Sequence, residues 1–120
     1  MKYLLIVYGN KEKWEAFSPE EQEIAIERYE AFAKKYVDTG EMLGGYGLAD
    51  AADTRLVQTK QGEPLVTDGP YLEAKEYMAS FWMVDCPNRE RALEIAGDMP
   101  YLDIQPVEVW PVEHESRHQG

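Results

Sequence analysis

The chain has a single thiol, Cys86, in 120 residues. No intrachain disulfide can form, so the fold must rest on a packed core, and a reducing, cytoplasmic setting is expected. Histidine is almost as scarce. His114 and His118 both stand in a polar C-terminal stretch, and no histidine elsewhere is free to act as the base of a Ser-His-Asp or Cys-His mechanism. Their spacing of four would grip a metal only on a helix. The polar stretch is expected to be a frayed tail, so no metal and no cofactor are expected. Basic residues number 12 against 23 acidic ones, a net charge of −11. Phosphate backbones and anionic membrane surfaces would be repelled, which argues against nucleic-acid and membrane partners. No apolar run approaches the roughly 20 residues of a membrane span. The lone Lys2 before seven mostly apolar residues does not make a secretion leader.

What the chain does contain is the pattern of one α+β domain. At 120 residues it buries roughly two-thirds of its unfolded surface. Residues 2–8 are almost continuously apolar, as expected of a strand covered on both faces. Residues 11–17 read as a connector carrying Trp14 and Phe17. Ser18-Pro19-Glu20-Glu21 announces a helix, with Ser18 as cap, Pro19 in the first turn and Glu21 completing a capping box. Ala25, Tyr29, Phe32, Ala33 and Tyr36 form its apolar stripe, Ile26 and Val37 stand at the margin, and Gly40 is the expected stop. Glu30 and Lys34 are spaced to pair. Residues 42–48 read as a second strand, whose three glycines predict a bulge or the close approach of another backbone or ligand. A hairpin is expected over 54–58 and 64–67. Phe81 to Val84 is again apolar throughout, a second central strand. Asn88 caps a helix over 89–96 with Gly97 as its stop, and residues 107–110 alternate as an edge strand does.

Leu65-Val66-Thr67-Asp68-Gly69-Pro70 runs from a strand into a forced bend, because Gly69 is steered out of the helical region by the proline after it. A short helical turn is expected over 71–77. The string Thr67-Asp68-Gly69-Pro70-Tyr71-x-Glu73-x-Lys75-Glu76 resembles the signature of the DGPF group of YCII-related proteins, and Met1 to Gly9 resembles that group's first strand. The likeness runs over residues 1 to 112, with 113–120 left as a C-terminal tail. Two departures stand out. Tyr71 replaces the usual Phe, and Ala79-Ser80 replaces a glycine pair, which leaves the backbone there open. The resemblance implies a ferredoxin-like βαβ-βαβ fold with an inserted hairpin, assembled as a dimeric α/β barrel. Patterning points the same way: helices cover one sheet face, and a homodimer joined through the open sheet face would cover the other. The His-Asp pair used by some YCII relatives does not carry over, since no histidine precedes residue 114.

Two functional readings compete. In the first, a small molecule binds, with or without acid–base chemistry, near the Asp-Gly-Pro loop and the dimer interface. Asp68, Glu73 and Glu76 are then the candidate catalytic carboxylates, Lys75 holds an anionic group, and Tyr46, Gly69 and Tyr71, with Tyr77 beside them, line the pocket. Against this, Asp68 reads more readily as a turn carboxylate, Glu73 to Glu76 as a solvated turn, and the tyrosines as packing. In the second reading the chain is a non-catalytic dimeric module, for example a partner of an alternative sigma factor, as the genomic setting of some relatives implies. Gly44-Gly45-x-Gly47 lacks the setting of a phosphate loop, and Cys86 beside Asp85 reads as a structural thiol.

Overall fold

In the computed structural model, residues 1–69 and 76–116 are described, without the side chain of Glu76. The elements run β1 (Lys2–Asn10), α1 (Lys11–Glu15), α2 (Pro19–Asp38), β2 (Met42–Gly47), a 3-10 turn (Ala51–Asp53), β3 (Arg55–Lys60), β4 (Glu63–Asp68), β5 (Glu76–Asp85), α3 (Arg89–Gly97) and β6 (Val107–Pro111). The main sheet has the order β2-β5-β1-β6, and its neighbours pair antiparallel. The two continuously apolar strands are therefore the interior ones. This α+β topology is compatible with a ferredoxin-like fold.

Local chemistry accounts for the element ends. Ser18 Oγ accepts from the Glu21 N–H at 3.1 Å and the Glu21 carboxylate accepts from the Ser18 N–H at 3.0 Å, closing the capping box. Gly40 follows α2 at φ +85°, a left-handed position suited to glycine. Gln61 and Gly62, at φ +53° and +81°, make the two-residue turn between β3 and β4, whose twist suits a tight hairpin. Several expectations are corrected. Residues 11–15 are helical, because Asn10 Oδ1 accepts from the Lys13 N–H and caps them. Lys34 pairs with Asp38, at 2.9 Å, one turn on from the expected Glu30. Gly97 is the last helical residue, and Asp98 is the C-cap. Glu76 and Tyr77 belong to β5, opposite Asn10 and Gly9, where the ladder satisfies their backbone; the rest of the expected 71–77 turn lies outside the described residues. The chain is held past Glu113, since Glu115 takes both carboxylate oxygens to Lys2 Nζ at 2.7 and 2.8 Å.

The core lies between the sheet and the helices. Tyr3, Leu5 and Val7 of β1 face Phe32 and Tyr36 of α2 and Ala92, Ile95 and Ala96 of α3, with Val84 beside them. A two-pronged ion pair joins the layers: Arg91 on α3 donates from Nε and Nη2 to the two oxygens of Glu41, at 2.9 and 2.8 Å. The guanidinium holds the Glu41 carboxyl below its usual range. Cys86 is buried, and burial pushes its thiol up, as befits a structural role.

Register sorts the opposite face. Leu4 sits across from Met83 and Trp110, and Ile6 across from Phe81 and Glu108. Tyr46 is across from Phe81, and the two rings lie 5.3 Å apart. Tyr46 and Trp110 are more than half exposed. The β3–β4 hairpin stands apart as its own two-stranded sheet.

Candidate functional site

The site follows from where small residues fall on the helix-facing side of the sheet. Gly45 and Gly47 pair with Trp82 and Ser80, and Ser80 and Trp82 pair with Val7 and Leu5, which face the helices. At these two positions β2 therefore presents hydrogen atoms to α2. The first gap is filled: a Cβ on Gly45 would run into the Trp82 ring, which packs edge-on against Phe32 at 5.9 Å. The group that comes close is a side chain, where the glycine pattern predicted a backbone or ligand; the predicted bulge is present as a register shift between Met42 and Gly44. The second gap stays open, since nothing lies within 4 Å of a Cβ on Gly47.

A cleft of about 410 Å³ occupies that space. Val7, Gly47 and Ser80 form its floor, Ile26 and Tyr29 of α2 its roof, and Trp14 and Tyr77 line it further along. The backbone left open by Ala79-Ser80 resolves here. Val7 pairs with Ser80 and Tyr8 with Met78, so Ala79 is the extra residue of a bulge. Its carbonyl accepts from the Leu48 N–H at 2.8 Å, which draws the loop after β2 over the cleft. Gly9 allows the bulge, because a Cβ there would meet the Ala79 Cβ at 2.9 Å.

The polar groups are few. Tyr29 donates its hydroxyl to Gln105 Oε1. Burial, with the neighbouring Tyr101, pushes its pKa up to about 12, so the phenol stays protonated at physiological pH. At the mouth Lys11 Nζ lies 3.3 Å from Asp50 and 3.8 Å from Glu15. Asp50 also accepts from the Ala52 N–H at 2.9 Å. That bond and Lys11 hold its carboxyl below the usual range, and Asp50 in turn holds the Lys11 ammonium up. Among the described residues no cluster of histidine, cysteine and carboxylate groups is arranged to hold a metal, and no helix is long and apolar enough to cross a membrane.

Of the residues singled out in the sequence, Tyr71, Glu73 and Lys75 lie outside the described residues, as does His118. Glu76 opens β5 opposite Asn10, next to Tyr77 at the cleft. Asp68 ends β4 with a carboxylate that is 96% exposed, 3.8 Å from Arg55 Nε, and does not line the cleft. Gly69 donates its N–H to the Thr54 carbonyl at 2.9 Å, closing the base of the hairpin. A Cβ on Gly69 would meet Thr54 Cγ2 at 2.8 Å, so packing accounts for that glycine. Tyr46 points to the open sheet face. Asp68→Asn is accordingly expected to leave thermal unfolding within about 0.5 kcal/mol of wild type, because an exposed ion pair contributes little. A loss above about 1 kcal/mol would show that the carboxylate ties the turn together.

Sequence reading gave no site role to Lys11, Trp14, Asp50 and Gln105. A signal for the first two was present. Asn10 followed by Lys11-Glu12-Lys13-Trp14-Glu15 is a capped helical turn with an i,i+4 ion pair. Asp50 and Gln105 lie far from both in sequence and carry no local signal.

Residues 1–115 match the family model of the YCII-related domain. An uncharacterised protein of Rhizobium meliloti (strain 1021) is 30% identical over 99 residues, covering 82% of this chain and 80% of that protein.

Proposed function

We propose that this chain, which belongs to the YCII-related family, binds a small and mainly apolar molecule in the cleft beneath α2. The cleft itself carries the reading. Its size lies in the range of small-molecule sites, and it combines apolar and aromatic walls with a few converging polar groups. Binding is favoured over acid–base chemistry by the state of Asp50, the carboxyl at the mouth. The Ala52 N–H and Lys11 hold it below its usual range, away from the range a general base needs at neutral pH. The test is a thermal-shift screen with small aromatic fragments on wild type and Gly47→Val. The valine fills open space on the cleft floor and leaves the core alone. Binders are expected to raise the wild-type midpoint and not that of Gly47→Val. Fragments that stabilise both equally would place binding elsewhere.

The assembly proposed with this site is a homodimer through the open sheet face. Leu4, Phe81, Met83, Tyr46 and Trp110 share that face across four strands, an extent of apolar surface that marks an interface. The wild type is expected to sediment as a dimer at micromolar concentration and Phe81→Glu as a monomer. A wild type that sediments as a monomer would end this reading and leave the cleft untouched.

A further inference from the structure

The nature of the ligand follows from what surrounds the cleft, and it rests on the cleft being a binding site. Three aromatic rings, Trp14, Tyr29 and Tyr77, line it. The recess adjoining its mouth shares Lys11, Glu15, Asp50 and Tyr77 with the cleft and adds Glu12. Among the described residues, one cationic side chain is therefore set against three carboxylates. Lys11 is also committed, with Asp50 and Glu15 both within 4 Å. The whole chain carries a net −11, so the field at the mouth adds to the local excess of negative charge.

Each class of ligand meets this setting differently. A carboxylate or phosphate would have to draw Lys11 from its two partners and approach against the field. A neutral molecule gains the apolar walls alone. An organic cation gains the walls, the aromatic rings among them and the negative excess of the rim. We infer that the cleft takes an organic cation, an ammonium group on an apolar body, with the body over Gly47 and Ser80 and the ammonium between the aromatic rings and the Asp50–Glu15 rim.

The test uses the full chain at low ionic strength and four probes of similar size: phenethylamine, benzyltrimethylammonium, 2-phenylethanol and phenylacetate. Binding is followed by tryptophan fluorescence, with Trp14→Phe separating the cleft signal from that of Trp82 and Trp110. The two cations are expected to bind about tenfold more tightly than the alcohol, with phenylacetate the weakest. Added salt should shrink the preference. So should Glu15→Gln and Asp50→Asn, the latter keeping an oxygen for the Ala52 N–H. Equal binding of alcohol and cations would overturn the inference while the cleft stands as a site. Tightest binding by phenylacetate would overturn it in favour of Lys11 as an anion anchor. No response to any probe at millimolar concentration would remove the cleft reading and this inference together.

Discussion

Gly45→Ala is expected to lower the unfolding midpoint by roughly 5–15 °C, the equivalent of about 1–3 kcal/mol for overpacking a filled site. A single added methyl has this effect because Trp82 already occupies the space, with three ring atoms within 2.7 Å of the new carbon. Real carbon atoms do not approach so closely. The indole must therefore turn or β2 must lift away from β5. Turning the ring gives up its edge-on contact with Phe32 in the core. Among the described residues the Trp82 Nε1–H is buried with no hydrogen-bond partner, so packing alone holds the ring in place. Gly47→Ala is the internal control. It stands in the same strand, on the same face, with open space before it. Replacing glycine there should leave the midpoint unchanged or raise it slightly, because alanine has less backbone freedom to lose on folding. If the two variants melt alike, Trp82 does not lie beneath Gly45.

A larger loss is expected from Leu5→Ala. Leu5 is fully buried at the centre of β1, between β5 and β6 and under both long helices. Truncating it removes apolar transfer energy and leaves a cavity that two paired strands cannot close. The cost should be about 2–5 kcal/mol, a large share of the 5–15 kcal/mol that holds most domains together. Denaturant unfolding measures it as a lower midpoint at constant slope. Leu4→Ala on the other face provides the comparison. In the single chain Leu4 is half-buried and lies outside the core cluster, so the local cost should be smaller. An added loss that grows as the protein is diluted would report a face covered by a second copy. A Leu5→Ala variant as stable as wild type would contradict the packing of the core.

The order of strands and helices was legible because it is written in short-range chemistry. Ser18-Pro19-Glu20-Glu21 starts a helix wherever it occurs, Gly40 can end one at positive φ, and the two unbroken apolar runs fit the two interior strands. Even the bulge in β2 could be read from its glycines, although the group that fills the space at Gly45 is the Trp82 ring and not a backbone or ligand. The cleft could not be read this way. Its floor depends on the face that Gly47 and Ser80 share with Val7, and one extra residue at Ala79 decides where Tyr77 falls beyond it. Its walls join Trp14, Tyr29, Tyr77 and Gln105, side chains up to 91 positions apart (105 − 14) that no local pattern connects. The Asp-Gly-Pro stretch drew attention because its residues are dense in sequence. Tertiary structure sets Asp68 on an exposed hairpin end, and at the cleft it brings Lys11, Trp14, Tyr29, Asp50 and Tyr77 together. Sequence spacing governs turns and caps, whereas a binding site is made by whatever folding places within a few ångströms.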